Sequence, residues 1–279
     1  MREKLIEELK IEDRAFVEEV LTNFIRQELH KAGFKKGVIG ISGGVDSALS
    51  AFLAVKALGR ENVIGISMPY KTSSPSSVED ARLVAQTLGI EFHEIDISPQ
   101  IDAYYSRFPD ADPVRKGNKM ARERMSILYD FAHANKALVI GTSNKSELLI
   151  GYSTRWGDGA HDVNPIGDLY KTQVWDMASF VGVPERIVKK KPSADLWPGQ
   201  TDEGEIGLDY HTLDQILVGY ADLRLTKEEL IEAGFEPKVV EKVLGMVRAS
   251  QYKRKLPIIC KIAQRTVDKD FLYLRDWGL

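Results

Sequence analysis

The sequence has 279 residues, of which 28% are charged and 43% hydrophobic, and its formal net charge is −3. This composition is typical of a soluble globular protein with one large α/β domain or two small ones, and it argues against a dedicated nucleic-acid binder. No apolar run approaches the roughly 18 residues of a membrane span, and the single cysteine, Cys260, excludes an internal disulfide framework, so we expect a cytoplasmic protein.

Helix and strand patterns alternate over the first half of the chain. Apolar residues at helical spacing predict an amphipathic helix over 14–29. Alternating predicted elements follow, with strands at 37–41, 63–68, 91–96 and 137–141 and helices at 48–55, 76–88 and 118–135. This rhythm predicts a doubly wound, mainly parallel sheet with helices on both faces, and ligands beyond the carboxyl ends of its strands.

The pattern changes after residue 151. The segments 151–167 and 192–207 are rich in glycine and polar residues, and irregular segments of this length are often functional lids. Helices are predicted at 211–220, 226–233 and 237–252. We expect a single domain over 1–279, with an α/β core at about 15–190 and a lid loop and C-terminal helices at about 191–279.

The most informative stretch is GISGGVDS at 40–47, the first loop, which joins a predicted strand to a predicted helix. A glycine turn before a helix N-terminus presents free backbone N–H groups, and the helix dipole favours an anion there. Ser42 and Ser47 add hydroxyl donors, and Asp46 can hold a divalent cation against phosphate oxygens. The alternative is an ordinary turn whose glycines serve packing. The stretch matches neither a Walker A loop nor G-x-G-x-x-G. It resembles the loop of the pyrophosphatase family that splits ATP between the α- and β-phosphates.

A second strand-to-helix loop follows at 141–147, the second loop. Glu147 is predicted about one turn into its helix, where it could share a Mg²⁺ ion with Asp46. In the simpler alternative, Ser143 caps the helix and Glu147 only complements the helix dipole. Two phosphate-type loops in one sheet favour the functional interpretation.

Other candidate features are less specific. Arg115, Lys119 and Arg122 share one face of the long predicted helix, which is either a solvated face or a grip on phosphates. The five histidines are scattered without zinc-ligand spacing. Cys260 lies in an apolar run and is expected to be a buried thiol.

Further motifs follow the first loop in a fixed order. They are Lys116-Gly117-Asn118 with Ala121-Arg122-x-Arg124-Met125, Gly141-Thr142 with Glu147, Gly157-Asp158-Gly159 with Asp162 and Pro165, Lys171, and Pro192-Ser193-Ala194-Asp195-Leu196. From about residue 15 to 260 the set resembles the ammonia-dependent NAD⁺ synthetase family. The resemblance implies an adenine nucleotide α-hydrolase-like fold and a C–N ligase that amidates deamido-NAD⁺ (nicotinic acid adenine dinucleotide) with ATP and free ammonia. The products would be NAD⁺, AMP and pyrophosphate, formed through an adenylated nicotinate in the last step of NAD⁺ biosynthesis.

The same resemblance implies roles for individual residues. The ATP site would comprise Gly40, Ile41, Ser42, Gly43, Gly44, Val45, Asp46, Ser47, Thr142, Lys171 and Ser193. Asp46 and Glu147 would ligate Mg²⁺, and the catalytic side chains would be Asp158, where ammonia enters, Lys171 and Ser193. The contacts to deamido-NAD⁺ would be Arg122, Arg155, Asp162, Tyr252 and Lys253. Members of this family are homodimers with the dinucleotide site near the interface.

The chain departs from the family's common form at a few positions. Asp-His is common where this chain has Ser143-Asn144, and Lys, Thr and His are commoner at positions 155, 193 and 252. Arg155 and Ser193 keep the charge or the hydroxyl, whereas Tyr252 replaces a group that titrates near neutral pH. The segments 70–77 and 197–207 are lid candidates, which would keep water from the adenylate.

Three alternatives share the first loop's chemistry. A glutamine-dependent enzyme needs a glutaminase domain with its own cysteine, and this chain has little spare length and only Cys260, so free ammonia is the expected nitrogen donor. A tRNA-modifying adenylating enzyme would need sulfur-carrying cysteines or a basic RNA surface. A non-catalytic adenine-nucleotide sensor would not need both Asp46 and Glu147.

Overall fold

The computed structural model describes residues 1–197 and 199–267, and a four-stranded parallel sheet lies at its centre. The strands are β1 (Lys36–Gly40), β2 (Val63–Ser67), β3 (Glu91–Glu94) and β4 (Ala137–Ile140). They lie in the order β3-β2-β1-β4, with Val38 of β1 opposite Ile64 of β2 and Val139 of β4. The winding therefore reverses between β1 and β4, and the loops after these two strands flank the crevice where such sheets bind ligands.

Within the described part of the chain, thirteen α-helices accompany this sheet. They are α1 (Arg2–Glu8), α2 (Arg14–Lys31), α3 (Val45–Leu58), α4 (Pro75–Leu88), α5 (Ser98–Tyr105), α6 (Pro113–Asn135), α7 (Lys145–Ile150), α8 (Lys171–Phe180), α9 (Glu185–Val188), α10 (Asp202–Ile206), α11 (Tyr210–Leu217), α12 (Lys227–Glu232) and α13 (Pro237–Ala249). A π-helical turn follows α11 at Val218–Asp222, and 3₁₀ turns lie at Arg60–Asn62 and Gln251–Arg254.

Successive residues of the strands point into two different cores. Val38 belongs to the core that contains Met120 of α6, whereas its neighbour Ile39 belongs to the core that contains Leu49 of α3 and Val174 of α8. Because successive strand side chains alternate between the faces of a sheet, both faces are covered by helices. The predicted doubly wound α/β architecture is confirmed.

A third core holds the C-terminal helices together. Tyr210 and Leu213 of α11 and Val243 of α13 pack in it with Leu5 of α1. The predicted helical C-terminal portion is therefore present, and the N-terminal helix α1, which the sequence pattern did not predict, joins it. None of the helices in the described residues is both long and apolar enough to cross a lipid bilayer.

Several element boundaries differ from the predicted ones. Helix α6 begins at Pro113 rather than near 118, because Asp112 caps it by accepting from the Arg115 N–H at 2.8 Å. The irregular segment 192–207 contains the one-turn helix α10, and α5, α8 and α9 were not predicted since short helices carry little periodic signal. The prediction that Cys260 is buried is wrong, because the chain around it forms no helix or strand and leaves the thiol exposed.

Candidate active site

The cleft beyond the carboxyl ends of β1 and β4 has a volume of about 710 Å³. The first loop (40–47) and the start of the second loop (141–147) line it, together with α6 and parts of 151–158 and 190–202. A cleft of this size suits a nucleotide-sized ligand. Both phosphate-type loops therefore open into one cavity.

Two serine hydroxyls hold the first loop in a tight turn. Ser47 Oγ donates to the Gly44 carbonyl at 3.0 Å and accepts from the Ser42 N–H at 3.2 Å, and Ser42 Oγ accepts from the Gly44 N–H at 3.3 Å. Gly43 has φ +79°, and a Cβ there would lie 2.2 Å from the Ser77 carbonyl oxygen, so this position requires glycine. No side chain caps the N-terminus of α3 that follows. The backbone donors of its first turn are thus available to an anion.

A buried lysine links the two loops. Lys171, the first residue of α8, is 1% exposed. Its Nζ lies 2.5 Å from Oδ2 of Asp46 in the first loop and 3.4 Å from Oε1 of Glu147 in the second. The structure therefore brings three of the predicted site residues into one ion-pair cluster, the Lys171 cluster (Asp46, Glu147 and Lys171).

Asn144 supports this cluster from the second loop. Its Oδ1 accepts from the Glu147 N–H at 3.0 Å and caps α7, and its Nδ2 donates to Asp46 Oδ1 at 2.9 Å. The alternative expectation that Ser143 caps this helix is wrong, since the cap is the next residue. The departure from Asp-His at these positions therefore still supplies a side chain that orients Asp46.

When both carboxylates of the Lys171 cluster are ionised, they outnumber its one ammonium and the cluster carries a negative charge. Burial raises the pKa of Glu147 to about 8, with Lys171 opposing the rise and Asp46 adding to it. Burial by itself lowers the pKa of Lys171, but Asp46 and Glu147 outweigh it and the pKa is raised. Asp202, which is also buried, adds negative potential to the same region. The site therefore favours a further cation.

The donor set fits Mg²⁺ shared with a phosphate. Mg²⁺ prefers hard oxygen ligands and usually takes one or two protein carboxylates, with substrate phosphates and water completing its shell. Within residues 1–197 and 199–267, no group of three or more His, Cys, Asp or Glu side chains could hold a metal ion by itself. Asp46 and Glu147 are thus suited to an ion that arrives with ATP, rather than to a metal site made by the protein alone.

Asp158 occupies the other side of the cleft. Its Oδ1 accepts from the Thr154 N–H at 2.8 Å, and Thr154 Oγ1 donates to Asn118 of α6 at 2.6 Å. Asp158 is exposed on the side of the open cleft, while the protein atoms on its other sides desolvate the carboxylate and raise its pKa against the opposing effect of the Thr154 N–H. The position combines access for a small molecule with an increased proton affinity, as a general base requires.

One lid candidate, 70–77, contacts the segment 192–207, which contains the other candidate, 197–207. Asp195 Oδ2 accepts from the Ser74 N–H at 2.9 Å, which ties the loop after β2 to the segment 192–207. Ser193 lines the cleft and donates from Oγ to the Gln200 carbonyl at 2.7 Å. The hydroxyl of Ser193 thus fixes the turn of its own segment in this structure.

The predicted dinucleotide contacts lie in three places. Lys253 lines the cleft and donates to the carbonyls of Gly151 and Ser153 at 2.7 and 2.6 Å. Arg122, Arg155 and Tyr252 form a surface group beyond the cleft lining, in which Arg122 Nε donates to the Arg155 carbonyl at 3.3 Å. In the same group the Arg155 guanidinium lies 5.6 Å from the centre of the Tyr252 ring.

Asp162 and the basic face of α6 are engaged elsewhere. Asp162 Oδ2 accepts from the Val139 N–H of β4 at 2.8 Å, and the residue is not among those lining the cleft. Lys119 pairs with Glu123 at 2.5 Å, and Arg115 lies over the Phe108 ring at 4.8 Å. The structure therefore favours a solvated face for Arg115 and Lys119 over a grip on phosphates.

The sequence motifs assigned no role to several charged residues of the cleft, among them Arg124, Lys190 and Asp202. Arg124 donates from Nε to the Met68 carbonyl at 2.9 Å, and its guanidinium lies near the carboxylates of Asp158 and Asp195. Arg124 lies three residues after Ala121 and four before Leu128, and this helical spacing with apolar residues could have marked it as facing the protein. Lys190 and Asp202 stand in charged segments, where no sequence pattern separates them from their exposed neighbours.

The parallel sheet, the uncapped loop and the opposed carboxylates define an adenine nucleotide α-hydrolase-like protein. The family model for NAD synthase matches residues 17–257. This chain belongs to the NAD synthase family.

Curated relatives match most of the chain. The NH(3)-dependent NAD(+) synthetase of Trichlorobacter lovleyi is 52% identical over 94% of this chain and 96% of its own length. The NH(3)-dependent NAD(+) synthetase of Chlorobium phaeobacteroides is 50% identical over 94% of this chain and 95% of its own. Among solved structures, NMN synthetase from Francisella tularensis has a TM-score of 0.79 at 34% identity, covering 89% of this chain and 98% of its own. The NH3-dependent NAD synthetase from Campylobacter jejuni, in complex with nitrate, has a TM-score of 0.77 at 33% identity, covering 90% and 100%.

Proposed function

We propose that this chain is an ATP-dependent C–N ligase that amidates deamido-NAD⁺ with free ammonia, the last step of NAD⁺ biosynthesis. The observation that carries the proposal is the Lys171 cluster, in which Asp46 and Glu147 face one ammonium beside the uncapped N-terminus of α3. Relatives about half identical over nearly the whole chain bear the name NH(3)-dependent NAD(+) synthetase. A sulfur-transferring tRNA enzyme and a pure nucleotide sensor have no comparable support.

The first step would take place at the two loops. The nicotinate carboxylate attacks the α-phosphorus of ATP, the bond to the β-phosphate oxygen breaks, and pyrophosphate leaves. The N–H groups of the first loop, with Ser42 and Ser47, would hold the departing pyrophosphate, and Lys171 would offset charge on the phosphoryl oxygens. Asp46 and Glu147 would hold Mg²⁺, which supplies further charge neutralisation at those oxygens when bound. Thr142 and Ser193 line the same cavity and are proposed as further ATP contacts.

The second step would take place near Asp158. Ammonia attacks the activated carbonyl of the nicotinoyl adenylate, the bond to the AMP oxygen breaks, and a proton leaves the nitrogen. Asp158 would bind the incoming ammonium and accept the proton, since its raised pKa suits a base in a partly desolvated cleft. The closed contact between Ser74 and Asp195 would keep water from the adenylate during this step.

The acceptor would extend from Asp158 toward the surface group. Lys253 lines the cleft, and Arg122, Arg155 and Tyr252 lie together beyond it, so the four could contact one extended dinucleotide. Asp162 stays a proposal with less support, because its carboxylate is already bonded to the backbone of β4.

Leu256 and Ile258 lie near the surface group of Arg122, Arg155 and Tyr252 and are 60% and 90% exposed, which favours a homodimer that covers them. Size-exclusion chromatography with light scattering measures that state.

A coupled assay tests the proposed reaction. The protein is incubated with ATP, Mg²⁺, ammonium and deamido-NAD⁺, and NAD⁺, AMP and pyrophosphate are quantified. We expect the three products in equal amounts. Absence of NAD⁺ at every ammonium concentration would overturn the proposal, and ADP in place of AMP would contradict cleavage between the α- and β-phosphates.

Two further arms of the assay, each with one substrate exchanged, define the acceptor and the nitrogen donor. Nicotinic acid mononucleotide replaces deamido-NAD⁺ in one arm, because a solved structure similar to this chain is named NMN synthetase. Glutamine replaces ammonium in the other. We expect turnover to fall in both arms, and faster amidation of the mononucleotide would reassign the acceptor.

Because the proposed substrates belong to the cell's soluble metabolite pool, we also propose a cytoplasmic location.

A further inference from the structure

A lysine outside every assigned role contacts the first loop on the side of the Gly43 carbonyl, which is called the back of the loop below. Lys190 follows α9 and lines the rim of the cleft. Its Nζ lies 3.4 Å from the Gly43 carbonyl oxygen, 3.1 Å from Ser77 Oγ and 2.9 Å from Asp80 Oδ2. One ammonium thus bonds to the first loop and to α4, at the base of the segment that carries Ser193.

Asp80 keeps this ammonium in place. Its side chain is 7% exposed, and it also pairs with Arg186 of α9 at 2.6 Å. Two cations against one carboxylate leave a surplus positive charge behind the loop. Lys190 donates all three of its N–H groups to named acceptors, so the position of its charge is well defined.

The contact with Gly43 fixes the orientation of one peptide group. In a trans peptide the carbonyl of one residue and the N–H of the next point in opposite directions. With the Gly43 carbonyl held toward Lys190, the Gly44 N–H must point away from it. Gly44 lines the cleft and Gly43 does not, which agrees with this orientation. On the cleft side the Gly44 N–H makes one long hydrogen bond to Ser42 Oγ at 3.3 Å, and Lys190 holds the carbonyl at the opposite side of the same peptide.

We propose that Lys190 is a positioning residue for the polyphosphate of ATP: it holds the Gly43–Gly44 peptide with its N–H facing the cleft and places positive charge behind the first loop. This inference rests on the proposed function for the identity of the nucleotide. It concerns binding of ATP and pyrophosphate only, and it makes no demand on the acceptor site around Asp158.

Binding measurements on Lys190→Met, Lys190→Arg and Lys189→Met test this inference. Met keeps the length of the side chain and removes its charge and donors. Lys189 is the matched control, because it neighbours Lys190 in sequence but pairs with exposed Glu185 on the surface. Calorimetry measures the affinities of the holoenzyme for ATP with Mg²⁺, for pyrophosphate and for deamido-NAD⁺, and steady-state assays give KM and kcat.

We expect Lys190→Met to bind ATP and pyrophosphate about 10-fold or more weakly, as loss of a charge-assisted contact predicts. Affinity for deamido-NAD⁺ should stay within about 2-fold, and Lys190→Arg should recover part of the loss. Lys189→Met should match the unmodified protein in every measurement. Since ATP and pyrophosphate binding need no amidation, this test can succeed even if the acceptor proves to be a different carboxylate.

Three results would overturn the inference. One is unchanged affinity of Lys190→Met for ATP and pyrophosphate. Another is an equal loss of deamido-NAD⁺ affinity in a variant whose circular dichroism and Tm are unaltered. If Lys190→Met does not fold, Lys190→Gln keeps a polar side chain and removes the charge. Unchanged affinity of Lys190→Gln for ATP and pyrophosphate would then be the third result that decides against a positioning role.

Discussion

The two sides of the cleft are built in different ways. On the sheet side, the first and second loops each join a buried strand to a helix, and the regular backbone places Asp46 and Glu147 against Lys171. On the other side, the segments 151–167 and 192–207 contain little regular structure, and single hydrogen bonds such as Ser74 to Asp195 hold them. The first side therefore combines free backbone donors with carboxylates, which suits a phosphate that arrives with a metal ion, whereas the second is suited to opening, closing and reaction with a small nucleophile.

The largest expected effect is on the sheet side. Asp46→Asn should lower kcat for NAD⁺ formation by at least about 10³-fold, because it removes one of the two carboxylates proposed to hold Mg²⁺ and the ionic partner of Lys171. The fold should persist, since Asn can keep the hydrogen bond with Asn144. Product formation and the Tm are the measurements, with exposed Asp130→Asn as the control. Retained turnover in Asp46→Asn would remove the metal role assigned to this residue.

Asp158→Asn should produce the largest effect on the opposite side. We expect about a 10²-fold loss of NAD⁺ formation, the scale of general-base catalysis, while pyrophosphate is still released in a single turnover. A base acts when ionised, and the pKa of Asp158 is raised, so amidation should fall with decreasing pH at a higher pH than an exposed aspartate would give. Rates are expressed per concentration of unprotonated ammonia, and Asp110→Asn is the exposed control. If the amidation rate of Asp158→Asn falls at low pH in the same way as that of the unmodified protein, Asp158 is not the general base.

Gly43→Ala tests how strictly the sheet side is built. The added Cβ would lie 2.2 Å from the Ser77 carbonyl at φ +79°, so we expect a loss of roughly 1–3 kcal/mol in the free energy of unfolding together with weaker ATP binding. Gly182→Ala is the matched control, because it has φ +90° with no atom within 4 Å of its Cβ. Equal losses in both variants would mean that backbone strain, rather than the clash with α4, determines the cost.

The smallest expected effect concerns the hydrogen bond between Ser74 and Asp195, which joins the segments 70–77 and 192–207. Asp195→Ala removes the acceptor of the Ser74 N–H. We expect the rate of NAD⁺ formation to fall by about 3- to 10-fold, the scale of one hydrogen bond. Water should reach the adenylate more often, so AMP should exceed NAD⁺ in the products. The ratio of AMP to NAD⁺ is the measurement, and a ratio that stays at one would show that this contact does not exclude water.

The difference between the two sides also explains what the sequence could predict. The strands, α3, α4 and the first loop follow from local periodicity and glycine placement, and the structure confirms the fold they imply. The ion pair between Lys171 and Asp46 joins positions far apart in the chain, and the family resemblance placed both residues in the ATP site without predicting their contact. Lys190 and Asp202 have no local signal, because their roles depend on which segments fold beside them. Asp162 shows the opposite case. Its motif predicted a contact with the dinucleotide, but in the structure its carboxylate accepts a hydrogen bond from the Val139 N–H of β4.

The ammonium of Lys171 also has a consequence for handling the protein. Because it neutralises part of the charge of Asp46 and Glu147 from within, the two carboxylates keep a counter-ion when no divalent cation is bound. Chelation should therefore inactivate the enzyme while changing its Tm by only a few degrees, unlike a protein whose metal holds the fold together. A thermal melt with and without EDTA measures this, and activity should return on adding Mg²⁺ without a refolding step.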